Sequence, residues 1–201
     1  MPERTKLFII GYNKTATTSL SEFFAANGYS SVHWRTRTRI NLAQRMTSNV
    51  MNRRPILAGI AEFDVYSDMT YSDSNVLLEG NFFYRQLHHE YPNAFFLLNL
   101  RDTDSWVRSR MSHGLPDNSF AARAKKAMGV SDEALIAFWK KAHQDFHSEV
   151  ADYFRQASPD RFMTFSIDTQ SPKELATWLN GHFELDIGSW VKANVTKQPA
   201  G

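Results

Sequence analysis

The segment that most constrains this chain lies near its start. Lys6–Ile10 (KLFII) is a short apolar run that stops at Gly11. A polar turn, Gly11–Thr18 (GYNKTATT), leads into Thr17–Asn27, where Leu20, Phe23 and Phe24 fall at helical spacing and Gly28 stands just beyond. An apolar run without polar alternation suits a strand covered on both faces. Glycine after a periodic stretch suits a helix stop. A buried strand, a tight turn and a helix, in that order, predict an α/β fold.

The alternation continues along the chain. Ser30–Trp34 reads as a second strand, and Ile40–Arg54 as a helix ended by Pro55. Residues 55–80 hold turn chemistry between short apolar pieces and give no clear element. Phe82–Tyr91 reads as a helix, Ala94–Leu100 (AFFLLNL) as the strongest strand, and Asp102–His113 as a helix opening directly after it. Ser131–Gln156 carries the broad apolar face of a long amphipathic helix. Phe162–Ile167 follows as a strand, and Ser171 with Pro172 and Glu174 marks another helix start. The expectation is one domain over 1–201, a three-layer α/β/α fold on a mainly parallel sheet. Ligands of such folds bind outside the carboxyl ends of the strands, which points to Gly11–Thr18, Val32–Arg35 and Arg101–Asp104.

Composition narrows the function classes. The 201 residues include no cysteine. That excludes a disulfide scaffold, thiolate metal sites and a cysteine nucleophile. Lys plus Arg is 23 against 21 for Asp plus Glu, too balanced to argue for nucleic-acid binding. Locally the charge is uneven. Arg35, Arg37, Arg39, Arg45, Arg53 and Arg54 stand in a stretch with no acid, which suits an anionic partner or a solvated basic face. No signal-peptide core and no run of the ~18–20 apolar residues that span a bilayer is seen, so the expected location is cytoplasmic.

Two segments carry chemistry. In Gly11–Thr18, a strand-to-helix turn offers successive backbone N–H groups and a helix N-terminus to an anion. Lys14 adds a positive charge, and Thr15, Thr17 and Thr18 add hydroxyls. It is not a Walker A loop, because Lys14 stands early and Ala16-Thr17 occupies the Gly-Lys place. A plain turn capped by threonines is the alternative. In the second segment Arg101 ends the best strand and Ser109 lies eight residues on, about two helical turns. Together they can grip one more phosphate; the alternative is a surface Arg101–Asp104 pair.

Together the two segments resemble the signature elements of the sulfotransferases that use 3′-phosphoadenosine 5′-phosphosulfate. The first is similar to that family's 5′-phosphosulfate loop, a Lys followed by a small residue, Gly, Thr and Thr after the first strand. The second is similar to its 3′-phosphate element, an Arg-Asp pair with a Ser eight residues after the Arg. Phe63–Asp68 (FDVYSD) and the run HHEYPNAFFLLNLRD resemble a small, bacterial-type branch of the same superfamily, and the likeness spans roughly residues 6–113. Ala16 departs from the usual Gly, and the basic C-terminal element of the cytosolic branch is missing, Asn194–Lys197 being the nearest stretch.

The resemblance implies a P-loop-NTPase-like sulfotransferase fold and an enzyme that moves a sulfuryl group from the phosphosulfate donor to a hydroxyl or amine. It implies Lys14 beside the leaving oxygen and Thr15, Ala16, Thr17 and Thr18 around the 5′-phosphate. Arg101 and Ser109 would hold the 3′-phosphate, with Lys197 reaching toward it or toward the adenine, and no metal would be needed. The acceptor would be a small molecule, lipid or carbohydrate, and the arginine run suits an anionic one. Deprotonating it needs a base; His33 and Asp68 are the main candidates, with Asp64 and His113 behind them. Trp106 reads as core, and His88 and His89 as solvated. Two other readings stay open: a P-loop kinase or NTPase using ATP and magnesium, and a non-catalytic nucleotide-binding module of the same fold.

Overall fold

In β1 (Leu7–Ile9) successive side chains leave on opposite sides of the backbone, and both sides are dry. Leu7 and Ile9 enter one apolar core, Phe8 and the following Ile10 the other, all with no solvent exposure. This is why the run shows no polar alternation: a central parallel strand has no wet face. The computed structural model describes residues 5–73, 75–115 and 118–190, and the elements below are those of these residues. Lys197 lies outside them.

β1 leads through α1 (Thr17–Ala26) to β2 (Ser31–His33), then through α2 (Leu42–Met51) to β3 (Val65–Ser67). A two-stranded antiparallel hairpin, β4 (Thr70–Ser72) and β5 (Leu77–Glu79), follows, and a 3-10 turn carries the chain into α3 (Tyr84–Glu90). Next come β6 (Phe95–Leu100), α4 (Thr103–Met111), α5 (Phe120–Met128), α6 (Asp132–Ala157), β7 (Phe162–Ser166) and α7 (Pro172–Trp178). The main sheet has the order β2-β3-β1-β6-β7, and every pairing in it is parallel. Leu7 faces Val65 on one side and Phe95 on the other, while Phe8 faces Tyr66 and Phe96, so one rung of apolar side chains crosses the sheet at each level.

Helices cover both faces. Leu20, Phe23 and Phe24 of α1 and Leu175 of α7 pack on the Leu7/Ile9 side. Met46, Leu87, Trp106, Phe146 and Phe154, from α2, α3, α4 and α6, pack on the Phe8/Ile10 side. Burying each such side chain stabilises by roughly 1.5–3 kcal/mol. The architecture is the expected three-layer α/β fold with a parallel sheet. No described helix is long and apolar enough to cross a membrane.

The departures from expectation are local. Residues 55–80 contain β3, a full member of the sheet, and the hairpin. α5 was not anticipated; Ser119 caps it, its side chain accepting from Ala122 N. α2 starts later than Ile40, at Leu42, capped by Asn41. His88 is half-buried rather than solvated, 2.9 Å from the Tyr153 hydroxyl.

All five parallel strands end at the same edge, and at β1 the exit is tight. A Cβ on Gly11 would stand 2.2 Å from the Asn99 carbonyl oxygen and 2.3 Å from its Oδ1. Neither group can yield without breaking β6. Gly11→Ala is expected to lose at least about 3 kcal/mol, the upper end of overpacking costs, or fail to fold; urea denaturation against wild type checks this.

Candidate active site

The turn after β1 is held from behind by side chains of the neighbouring strand and helix. Asn99, the one polar side chain within the apolar β6 run, accepts from Gly11 N at 2.8 Å and donates to the Thr15 carbonyl at 2.8 Å and to Thr15 Oγ1 at 2.5 Å. Trp106 Nε1 donates to the Asn13 carbonyl at 2.9 Å, and Arg101 to the Lys14 carbonyl at 3.2 Å. Three consecutive carbonyls, those of Asn13, Lys14 and Thr15, are thus tied down on one side. Among the described residues, no protein group accepts from the N–H groups of residues 14–18. Successive free N–H groups at a helix start form an anion-binding concavity.

The backbone that achieves this is strained. Lys14 has φ +68° and Ala16 φ +62°, both left-handed. Such conformations cost a residue with a Cβ roughly 1–2 kcal/mol and cluster at functional sites. Ala16 occupies the N-cap of α1 and no side chain caps that helix, so the threonine-capped turn is not what is built.

Around this loop lies a cavity of about 590 Å³ that every strand end reaches. Lys14, Ala16, Thr17 and Thr18 come from the β1 turn, His33 and Trp34 from the end of β2, Asp68 from just after β3, Arg101 from just after β6, and Asp168 from just after β7. α4 adds Ser109 and His113 follows it. Nine sequence-derived candidates, Lys14, Ala16, Thr17, Thr18, His33, Asp68, Arg101, Ser109 and His113, therefore line one space. Thr15 is placed differently: its hydroxyl donates to the Tyr12 carbonyl and accepts from Asn99, and the side chain is fully buried. Only its backbone N–H remains for a ligand. Asp104 pairs with Lys140 at 2.7 Å, so the Arg101–Asp104 surface pair is absent. Asp64 is buried at the opposite end of β3, where it accepts from Ser30 N at 2.8 Å, away from the cavity. Trp106 is core, as expected, and also one of the loop's anchors.

The titratable groups of the cavity share a low-dielectric setting. Burial holds the Lys14 ammonium below the ordinary lysine range; Arg101 adds to this and Asp68 opposes it. Lys14 Nζ stands 3.4 Å from His113 Nδ1. Burial, with Lys14, Arg123 and Arg110, lowers His113 as well. His33 Nε2 lies 3.2 Å from Thr17 Oγ1, 3.4 Å from Thr18 Oγ1 and 3.5 Å from Asp68 Oδ2. Burial pushes His33 down to about 4. It pushes Asp68 up to about 6, against the Thr70 hydroxyl and the positive charges of Arg110 and Lys14. Two buried polar atoms here have no protein partner, Arg101 Nε and Asp68 Oδ1. One is a donor beside the anion loop, the other an acceptor beside the base candidates. Among the described residues, no three His, Asp or Glu side chains gather as metal ligands.

Sequence reasoning missed Asn99, whose only trace was a polar residue in an apolar strand, and the part played by Arg110. Arg110 is 2% exposed, donates from Nε to Asn13 Oδ1 at 2.8 Å and pairs with Glu79 of β5. It fastens the loop to the hairpin.

Because Ala16 holds a positive φ, Ala16→Gly is expected to stabilise the protein by about 1 kcal/mol, the relief of left-handed strain less the added freedom of the unfolded chain. That corresponds to a rise in Tm of about 2–4 °C, read by calorimetry.

Comparison with known families gives a match over residues 6–185 to the family model described as a sulfotransferase domain. A search of curated proteins gives no match.

Proposed function

The chain belongs to the sulfotransferase family, and from that premise we propose that it transfers a sulfuryl group from 3′-phosphoadenosine 5′-phosphosulfate to a hydroxyl or amine of an acceptor bound in the same cavity, within a single domain and in the cytoplasm. The observation that carries this reading is the free N–H array of residues 14–18, set beside Lys14 in the cavity that Arg101 and Ser109 also line. It offers donors from the loop and from Arg101 and Ser109 to a nucleotide that carries a 5′-phosphosulfate and a 3′-phosphate.

The roles follow from chemistry. The N–H groups from Lys14 to Thr18 and the hydroxyls of Thr17 and Thr18 hold the 5′-phosphate. The Lys14 ammonium stabilises charge growing on the leaving phosphate oxygen, and in a water-poor cavity that charge is felt strongly. The partnerless Arg101 Nε suits a 3′-phosphate oxygen, with Ser109 as second donor. Bound in this way, the donor supplies an activated sulfuryl group, and the protein contributes position and field. Asp68 serves as base toward the acceptor, its free Oδ1 accepting the proton, and His33 holds Oδ2 in place.

Thermal shift tests the donor site. Adenosine 3′,5′-bisphosphate at 100 times its Kd should add ~2.7 kcal/mol, about 5–10 °C, and Arg101→Ala should lose most of the preference for it over adenosine 5′-phosphate. A shift with ATP plus magnesium alone would instead favour a kinase, and no shift with either would favour an interaction module.

The base has its own test. An aspartate that must be ionised and titrates near 6 makes kcat/KM fall about tenfold per pH unit below about 6. A histidine base that titrates near 4 would leave kcat/KM level down to about 4. We expect the fall near 6 and its disappearance, with at least a 100-fold loss of rate, in Asp68→Asn.

A further inference from the structure

Beyond the anion loop the cavity continues over β2 and β3 toward the hairpin and α5. Three side chains there have no part in holding the donor: Trp34, Ser72 and Arg123. Each is fixed by the fold and left with unused binding capacity.

Trp34 sits at φ +62°, a conformation that bulky residues rarely adopt. Its N–H donates to the Ser67 carbonyl at 3.0 Å, and its own carbonyl accepts from Leu42 N and Asn41 Nδ2, each at 3.0 Å. Bonds on both sides impose the strain, and the result is an indole 40% exposed in the cavity wall. The Arg35 guanidinium lies 4.6 Å from the ring centre and covers one face. Strained residues cluster at ligand sites, and a large aromatic ring open to a cavity offers a face for stacking.

Arg123 is half-buried on α5. Its Nε donates to Ser72 Oγ at 3.3 Å and one terminal nitrogen to the Asn118 carbonyl at 2.5 Å. Among the described residues it has no carboxylate partner within 4 Å. The nearby Asp73 carboxylate is occupied by the Tyr71 hydroxyl and the N–H groups of Asn75 and Val76. Arg123 lines the cavity, and among the described residues its other terminal nitrogen has no protein acceptor. A guanidinium tethered at two nitrogens and open at the third is preorganised for an oxyanion.

We propose that this end of the cavity takes an acidic ring compound as acceptor, its hydroxylated ring against Trp34 and its carboxylate or sulfate on Arg123. The proposal rests on the sulfotransferase reading and adds to it the class of acceptor. The hydroxyl to be sulfated then lies toward Asp68, and the acid group away from the donor's own charges, which a second anion nearer Lys14 would repel.

The test is binding of matched pairs, followed by calorimetry and saturation-transfer NMR, with and without saturating adenosine 3′,5′-bisphosphate. The probes are 4-hydroxyphenylacetate against 4-hydroxyphenylacetamide, and glucuronate against glucose, so that phenolic and sugar acids are told apart. The acid of at least one pair should bind about tenfold tighter than its neutral partner, the range of one charge-assisted hydrogen bond. Arg123→Gln should erase that ratio and leave the Kd of the bisphosphate unchanged. Ser72→Ala, which frees the Arg123 tether without removing its charge, should reduce the ratio severalfold and serves if Arg123→Gln does not fold. Trp34→Ala should weaken acid and neutral member alike. Equal binding within both pairs, no binding of any probe, or a preference that survives Arg123→Gln would overturn the proposal. Loss of bisphosphate binding by the wild-type protein would overturn the donor reading instead, and the pairs remain readable without it.

Discussion

The site depends on the Asn99 carboxamide. A strand that ends in a tight turn must satisfy the turn's backbone groups, and where those groups are buried the cost of leaving one unpaired is about 1–3 kcal/mol. Asn99 meets that need at both ends of the turn, accepting from Gly11 N and donating to the Thr15 carbonyl. With Trp106 and Arg101 on the Asn13 and Lys14 carbonyls, three consecutive acceptors of the turn are tied to the protein. An anion site made in this way needs no side-chain cap, and none is present.

Under the same loop lies a buried ion pair. Arg110 and Glu79 are 2% and 7% exposed, and four aromatic rings, of Tyr12, Trp106, Phe120 and Trp139, stand within 5.2 Å of the guanidinium. Such a pair contributes little net stability compared with apolar packing, yet breaking it costs roughly 3–5 kcal/mol. What it does here is positional. One nitrogen of Arg110 holds Asn13, at the start of the anion loop, and another holds Glu79, which also accepts from Thr70 two residues after Asp68. The loop proposed to bind the donor and the segment that carries the proposed base are thereby fixed to one another. The positive charge of Arg110 also opposes the rise that burial imposes on Asp68, which keeps that carboxyl within reach of ionisation at neutral pH.

Much of this was legible in the sequence, and the boundary of legibility is physical. β1, its turn, α1, β6 and α6 declare themselves because their signals are local: an apolar run, a glycine, a helical period. β3 does not. Val65–Ser67 is three residues long, and it is a strand only because β1 and β2 flank it. The site residues divide along the same line. Lys14, Arg101 and Ser109 could be named from spacing, since strand ends and helix turns fix where they point. The hydroxyl of Thr15 could not be placed, because it depends on a residue 84 positions away. The left-handed backbone at Ala16 was foreseeable only as a question, since alanine in a place that prefers glycine is strained or not according to a φ that sequence does not state.

The order of the strands also divides the cavity's labour. β1 is central, and the chain leaves it first toward β2 and β3 and later toward β6 and β7, so the crevice opens where the order reverses. Arg101, Ser109 and Asp168 lie on the β6–β7 side, and His33, Trp34 and Asp68 on the β2–β3 side. Lys14 stands at the boundary, on the turn that both sides share. In the proposed reaction, a group moving from donor to acceptor crosses that boundary. Lys14, the cation of the loop, therefore stands where the two sides of the cavity meet, as stabilising charge on the proposed leaving oxygen requires.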